Sequence, residues 1–184
     1  CVRGRARNEP HAHKRKSEKM AERVPRVSID YFFMSEEDKR ASVNPMIAMV
    51  DEDTGEKYMR AVGQKGTGSN HEMDWLIKDM SDELKAWGHA GGSGGAIIMK
   101  CDGEPAIQAV REALSKYHGG RAIPEGPPKG ESQSNGVIEE AGKTMREFTR
   151  VHKDQIEKRA SIKLGVDAVI TLWIIRRAAM VCSR

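Results

Sequence analysis

Cysteine is scarce in this 184-residue chain: only Cys1, Cys101 and Cys182, far apart and odd in number. Such a set argues against a disulfide framework and for a reducing, intracellular compartment. Long apolar runs are lacking too. The longest, near Val166 to Ile175, contains Asp167 and stops at Arg176 and Arg177. It is too short and too charged to span a bilayer, so no membrane partner is expected. No signal peptide opens the chain and no internal repeat is visible. The first residue is not Met, so a piece of a longer protein is expected.

What is present suits one polar-surfaced globular domain with a sizeable core: 38% hydrophobic and 32% charged residues. The net charge of +4 is uneven. Residues 1–26 carry nine Lys/Arg against three Glu, or +6, which leaves −2 for the remainder. That basic, apolar-poor stretch reads as a linker arm, either binding nucleic-acid phosphates or merely solvated. It holds Cys1, His11 and His13. A structural zinc needs four ligands, so the arm has no complete site, although Cys1 would fit as the last ligand of a site cut off at the chain start.

From Val27 the pattern changes. Val27 to Met34 is β-branched and aromatic on both faces, as in a central strand, with Asp30 interrupting it. A carboxylate there is costly to desolvate unless it reaches water at a strand end, is paired, or binds metal. Pro45 to Val50 and Lys57 to Val62 predict two more strands around a turn at Asp53-Thr54-Gly55. Ser69 and Glu72 form a capping-box pattern before a helix with Met73, Leu76, Ile77, Met80, Leu84 and Trp87 on its apolar face. Five glycines from Gly88 to Gly95 end it. Ala96 to Cys101 is a buried-type strand with Asp102 at its carboxyl end, where ligands gather in α/β sheets. Pro105 opens a second helix, with Ile107, Val110, Leu114 and Tyr117 inward. Arg121 to Ile123 is a short strand, and Pro124 to Ser134 a loop mobile by composition. A long helix from about Asn135 to Arg159 is expected to bury Val137, Ala141, Met145, Phe148 and Val151 or His152. An apolar helix, about Leu164 to Cys182, should pack on the core through Trp173 and Ile175. The expected class is α/β, a five-stranded mixed sheet flanked by helices.

Three carboxylates thus have defined settings: Asp30 within a strand, Asp102 at a strand end, and Glu139 or Glu140 on a helix. If the first and fourth strands are neighbours, the two aspartates lie side by side. Clustered carboxylates repel unless cations intervene, and hard oxygen ligands suit Mg²⁺ or Mn²⁺. Two such ions suit in-line phosphoryl displacement, so nucleic-acid phosphodiester chemistry is expected. Helix steps from Glu139 reach Lys143, Arg146, Arg150 and Lys153, while those from Glu140 reach Thr144, Glu147, Val151 and Asp154. A metal ligand that grips a polyanion should share its face with the cations, which selects Glu139. The same stripe also fits an ordinary solvated helix face.

Val27-Ser28-Ile29-Asp30, Lys100-Cys101-Asp102-Gly103-Glu104-Pro105 and Asn135-Gly136-Val137-Ile138-Glu139 resemble the acidic-triad motifs of retroviral and long-terminal-repeat retrotransposon integrases, which are carried in a Pol polyprotein. The 36 residues between Asp102 and Glu139 are close to that family's gap. The resemblance covers about Val24 to Arg184, including Trp173 to Ala179, which looks like the family's final core helix. It implies a ribonuclease H-like fold over 27–184, Asp30, Asp102 and Glu139 on two Mg²⁺ (or Mn²⁺), and DNA 3′-end processing and strand transfer. By position, Asn135, Lys143 and Arg146 match donor-DNA contacts, and Arg150 and Lys153 continue that face. The partners implied are element ends, target DNA and further copies of the chain, in the nucleus if the source is eukaryotic. Cys1 to Arg5 resembles the segment after the last zinc ligand of a preceding N-terminal domain, so Zn²⁺ is expected only in that missing part. Gly103 stands where the family often has Asn, and Glu140 adds an acid. The rival readings are a ribonuclease H-like nuclease, wanting a fourth carboxylate for which Glu72, Asp74 and Asp79 are loose candidates, and a catalytically inactive nucleic-acid-binding relic.

Overall fold

A computed structural model describes residues 24–68, 73–92, 95–126, 135–165 and 168–183. Ten elements follow in chain order: β1 (Arg26–Phe32), α1 (Glu36–Ala41), β2 (Met46–Asp51), β3 (Lys57–Ala61), α2 (Asp74–Ala86), β4 (Ala96–Lys100), α3 (Pro105–His118), β5 (Arg121–Glu125), α4 (Gly136–Ala160) and α5 (Val169–Cys182). The five strands form one mixed sheet in the order β3-β2-β1-β4-β5. β1 lies at its centre, antiparallel to β2 and parallel to β4. The fold is therefore the expected α/β class, and its mixed five-stranded sheet with flanking helices agrees with a ribonuclease H-like arrangement.

Strand alternation divides the core in two. Val27, Ile29 and Tyr31 of β1 join Met99 of β4 and Leu76, Met80, Leu84, Ile107, Val110 and Leu114 of α2 and α3 in one cluster. Phe32 of β1, with Ala48 and Val50 of β2, packs on Ile138, Ala141 and Met145 of α4 and Ile175, Ala178 and Ala179 of α5 in the other. Ser28, Asp30 and Phe32 alternate with the first set, so Asp30 belongs to the face that meets α4.

Several expectations need correction. α1 was not foreseen; its Ser35 Oγ accepts the Asp38 N–H at 3.0 Å, which caps a helix with no buried residue. β5 runs on through Pro124 to Glu125, and a proline is tolerated because β5 is an edge strand. In α3 it is His118, not Tyr117, that turns inward. α5 starts at Val169; Ile174 and Ile175 are buried, but Trp173 is 55% exposed. The Ser69/Glu72 cap and most of the Pro/Gly loop lie outside the described residues.

α4 buries Ile138, Ala141, Gly142, Met145 and Thr149, while Val137, Phe148 and Val151 are exposed. Close approach to β1 sets this phase. A Cβ on Gly142 would stand 2.3 Å from the Phe32 ring, far inside contact distance. Gly142→Ala gains about 1 kcal/mol of helix propensity but overpacks the interface at a cost of about 1–3 kcal/mol. We expect the clash to win, lowering the melting temperature by a few degrees, with Phe32→Leu restoring it in the Gly142→Ala background. Thermal melts of the two variants check this, and an unchanged or raised melting temperature for Gly142→Ala would show that α4 can step back from the sheet without loss.

Candidate metal and nucleic-acid site

Parallel pairing of β1 with β4 brings the two aspartates together. Arg26, Val27 and Ser28 pair with Ile98, Met99 and Lys100 at constant offset. The pairing ends there, and the same offset carried two residues on would bring Asp30 beside Asp102, whose charge acts on it. Across the antiparallel side, Asp30 faces the small Ala48. Asp102 Oδ1 accepts the Glu104 N–H at 2.9 Å, turning the chain into α3. Asp30 Oδ1 accepts the Tyr31 N–H at 2.7 Å.

The third acid comes from α4. Asp30 and Glu139 both line a groove of about 520 Å³, together with Glu140, Lys143 and Arg146. Asp102 is not part of its wall, but its charge is felt there. Burial pushes the Asp30 carboxyl up from 3.8 to about 6; the Tyr31 N–H opposes the shift, and the charges of Asp102, Glu104 and Glu139 add to it. Asp30 thus feels the charge of both other predicted acids. Among the described residues, however, no three His, Cys, Asp or Glu side chains already stand as a metal cage. The donor set itself, carboxylate oxygens at the end of paired strands, fits a hard divalent cation such as Mg²⁺ or Mn²⁺.

Both adjacent acids, Glu139 and Glu140, reach the groove, and only Glu139 lies in the first turn of α4. Its basic stripe is present but partly engaged. Arg146 Nη1 donates to the Phe33 carbonyl at 3.4 Å and Nε to the Gly142 carbonyl at 3.3 Å, with its guanidinium 5.6 Å over the Phe32 ring. Arg150 donates to the Met34 carbonyl. Lys153 pairs with Glu157 at 3.6 Å. Lys143 lines the groove with no partner among the described residues. Asn135 precedes α4 but does not cap it, and its Oδ1 is buried with no partner among the described residues.

The fourth carboxylate beside Asp30 is Glu104, none of those suggested by the sequence. Asp79 is committed elsewhere, to the Tyr58 hydroxyl and the Arg60 guanidinium, both at 2.8 Å. Asp74 opens α2, and Glu72 lies outside the described residues. Glu104 in turn holds Lys65, at 2.7 and 2.8 Å from its two oxygens. Only Glu104's place two residues after Asp102 signals it in the sequence; nothing signals Lys65.

Because the folded pKa of Asp30 is raised, its contribution to stability is fully present below pH 3.8, falls between 3.8 and about 6, and is lost above. Asp30→Asn should therefore stabilise the metal-free protein at pH 8 by up to about 3 kcal/mol, with the advantage vanishing near pH 4. Paired melts from pH 4 to 8 check this; parallel profiles would mean that Asp30 ionises as freely as an exposed acid. In comparisons with known proteins, no family model matches the chain and no curated protein is similar enough to it to count as a relative.

Proposed function

We propose that this chain is the catalytic core of a retroelement integrase, a metal-dependent polynucleotidyl transferase that processes DNA 3′ ends and joins them to target DNA. The observation that carries the reading is the groove that Asp30 of β1 lines together with Glu139 of α4, with the charge of Asp102 also acting on Asp30. The motif resemblance points the same way. Asp30, Asp102 and Glu139 would hold two Mg²⁺ or Mn²⁺ ions. Bound there, such ions would lower the pKa of an attacking oxygen and stabilise the leaving one.

The remaining work falls to the chain's own groups. Asp30 must release the proton that burial helps it keep, so ion uptake below about pH 6 is coupled to proton release. Lys143 and the unused N–H donors of Arg146 and Arg150 face the phosphate backbone from one side of α4, with Lys153 a turn further on. Asn135 stands at the same helix end, where its amide N–H donors would be the groups to meet a phosphate. The homo-oligomer belongs to this reading, supported by the exposed Val169, Leu172, Trp173 and Met180 of α5. So do nuclear placement in a eukaryote and a zinc-bearing domain ahead of residues 1–26. Among the described residues no helix is long and apolar enough to cross a membrane.

A hybrid-cleaving nuclease is the second reading, favoured by the fourth carboxylate, Glu104, beside Asp30. Its bidentate pairing with Lys65 counts against a ligand role. Asp102→Asn should keep the fold and lose Mg²⁺-dependent strand transfer by on the order of a hundredfold or more, as expected when several kcal/mol of ion-derived stabilisation disappear. Strand transfer of DNA ends is assayed beside cleavage of an RNA–DNA hybrid. Full activity in the variant rejects the metal-site assignment. Hybrid cleavage without transfer selects the nuclease. Salt-dependent DNA binding with neither activity selects the inactive relic.

A further inference from the structure

The segment after β3, residues 63–68, folds onto the neighbours of both aspartates. The Gly66 N–H donates to the Tyr31 hydroxyl at 2.9 Å, and Tyr31 is next to Asp30. Gly66 takes a φ of +86°, open to glycine, and approaches Ala106 at the start of α3. Between these anchors Lys65 spans the gap. Its ammonium meets both oxygens of Glu104 at 2.7 and 2.8 Å and lies 5.2 Å from the Tyr31 ring centre and 5.4 Å from that of Phe33. A lysine gives up about 1.5–2 kcal/mol of side-chain entropy when it is held in this way. Two charge-assisted bonds and two aromatic faces offset that cost.

Glu104 needs a counter-charge. Its N–H already caps Asp102 Oδ1, so its carboxylate is tethered beside the cluster whatever its side chain does. Left free, it would offer two more hard oxygens within reach of any cation drawn to Asp30 and Asp102. We infer that Lys65 is a positioning residue: by binding both Glu104 oxygens it keeps this fourth carboxylate out of the ion-binding set of Asp30, Asp102 and Glu139. The inference rests on the metal-site reading given above.

The test is calorimetric titration of the whole chain with Mn²⁺ alone, without DNA. Lys65→Ala removes the counter-charge and frees Glu104, and should tighten Mn²⁺ binding roughly threefold to tenfold, as one added negative charge at this range implies. Glu104→Gln leaves the ammonium unopposed and should weaken binding by a similar factor. The double variant should return near wild type, and Lys65→Arg should match it. A merely structural pair would not give shifts of opposite sign that cancel. Lys65→Ala and Glu104→Gln moving binding the same way, or neither moving it by as much as twofold, overturns the inference. Asp102→Asn separates the two levels. If that variant loses Mn²⁺ while Lys65→Ala is silent, the inference alone falls. If it binds as wild type does, the ions lie elsewhere and both fall.

Discussion

The contact between Gly142 and the ring of Phe32 sets the separation of sheet and helix on which the site depends. Phe32 is two residues after Asp30 on the same strand face, and Gly142 is less than one turn after Glu139 on α4. Bringing backbone against ring therefore brings the strand acid and the helix acid into one groove. A Cβ at 142 would stand 2.3 Å from that ring, so either the ring or the helix must shift to admit a larger residue. The same contact chooses the buried stripe of α4: Ile138, Ala141, Met145 and Thr149 follow from Gly142 at helical spacing. Thr149, fully buried, turns its hydroxyl back to the Met145 carbonyl at 2.8 Å, so its own polar group is satisfied.

A second constraint works against the first. Packing α4 this close strips water from Asp30 while placing Glu139 near it, and both effects disfavour the ionised carboxylate. The Asp30 carboxylate is thus held in an unfavourable charge state by a well-packed wall. A cation drawn to the groove would relieve part of this repulsion. That is the usual relation between a rigid scaffold and a strained functional group: packing elsewhere carries the cost.

The strands and both aspartates were legible in the sequence because each signal is local. A β-branched run broken by one Asp, and a buried run ended by another, announce themselves within eight residues. Their adjacency needed only the β1–β4 pairing. The phase of α4 was misread for a physical reason. Val137, Phe148 and Val151 are the conspicuous apolar residues, and periodicity alone turns them inward. Close packing instead selected a glycine and a threonine, which no hydropathy pattern favours. α1 escaped because Glu-Glu-Asp-Lys-Arg-Ala has no apolar period; only the Ser35–Asp38 cap marks it. The Lys65–Glu104 pair joins residues 39 apart in sequence and exists only because the segment after β3 lies on Tyr31.

The basic face of α4 shows why shared helical phase is a weaker statement than shared function. Lys143, Arg146, Arg150 and Lys153 do lie along one side. Yet Arg146 and Arg150 also tie α4 to the Phe33 and Met34 carbonyls where the chain leaves β1. A guanidinium has five N–H donors in a rigid fork, and Arg146 spends two of them within the protein. The remaining donors can still meet a phosphate, whereas a lysine spent on a carbonyl would be withdrawn more fully. Arginine rather than lysine suits the two positions that brace the segment after Asp30, because bracing leaves part of the fork unspent. Lys143, with no bracing task, stands at the groove itself. The stripe is thus graded along the helix, from Lys143, unpaired among the described residues, through two shared cations, to Lys153 paired with Glu157. Its positive charge is most available where the carboxylates would draw in a polyanion's metal ions.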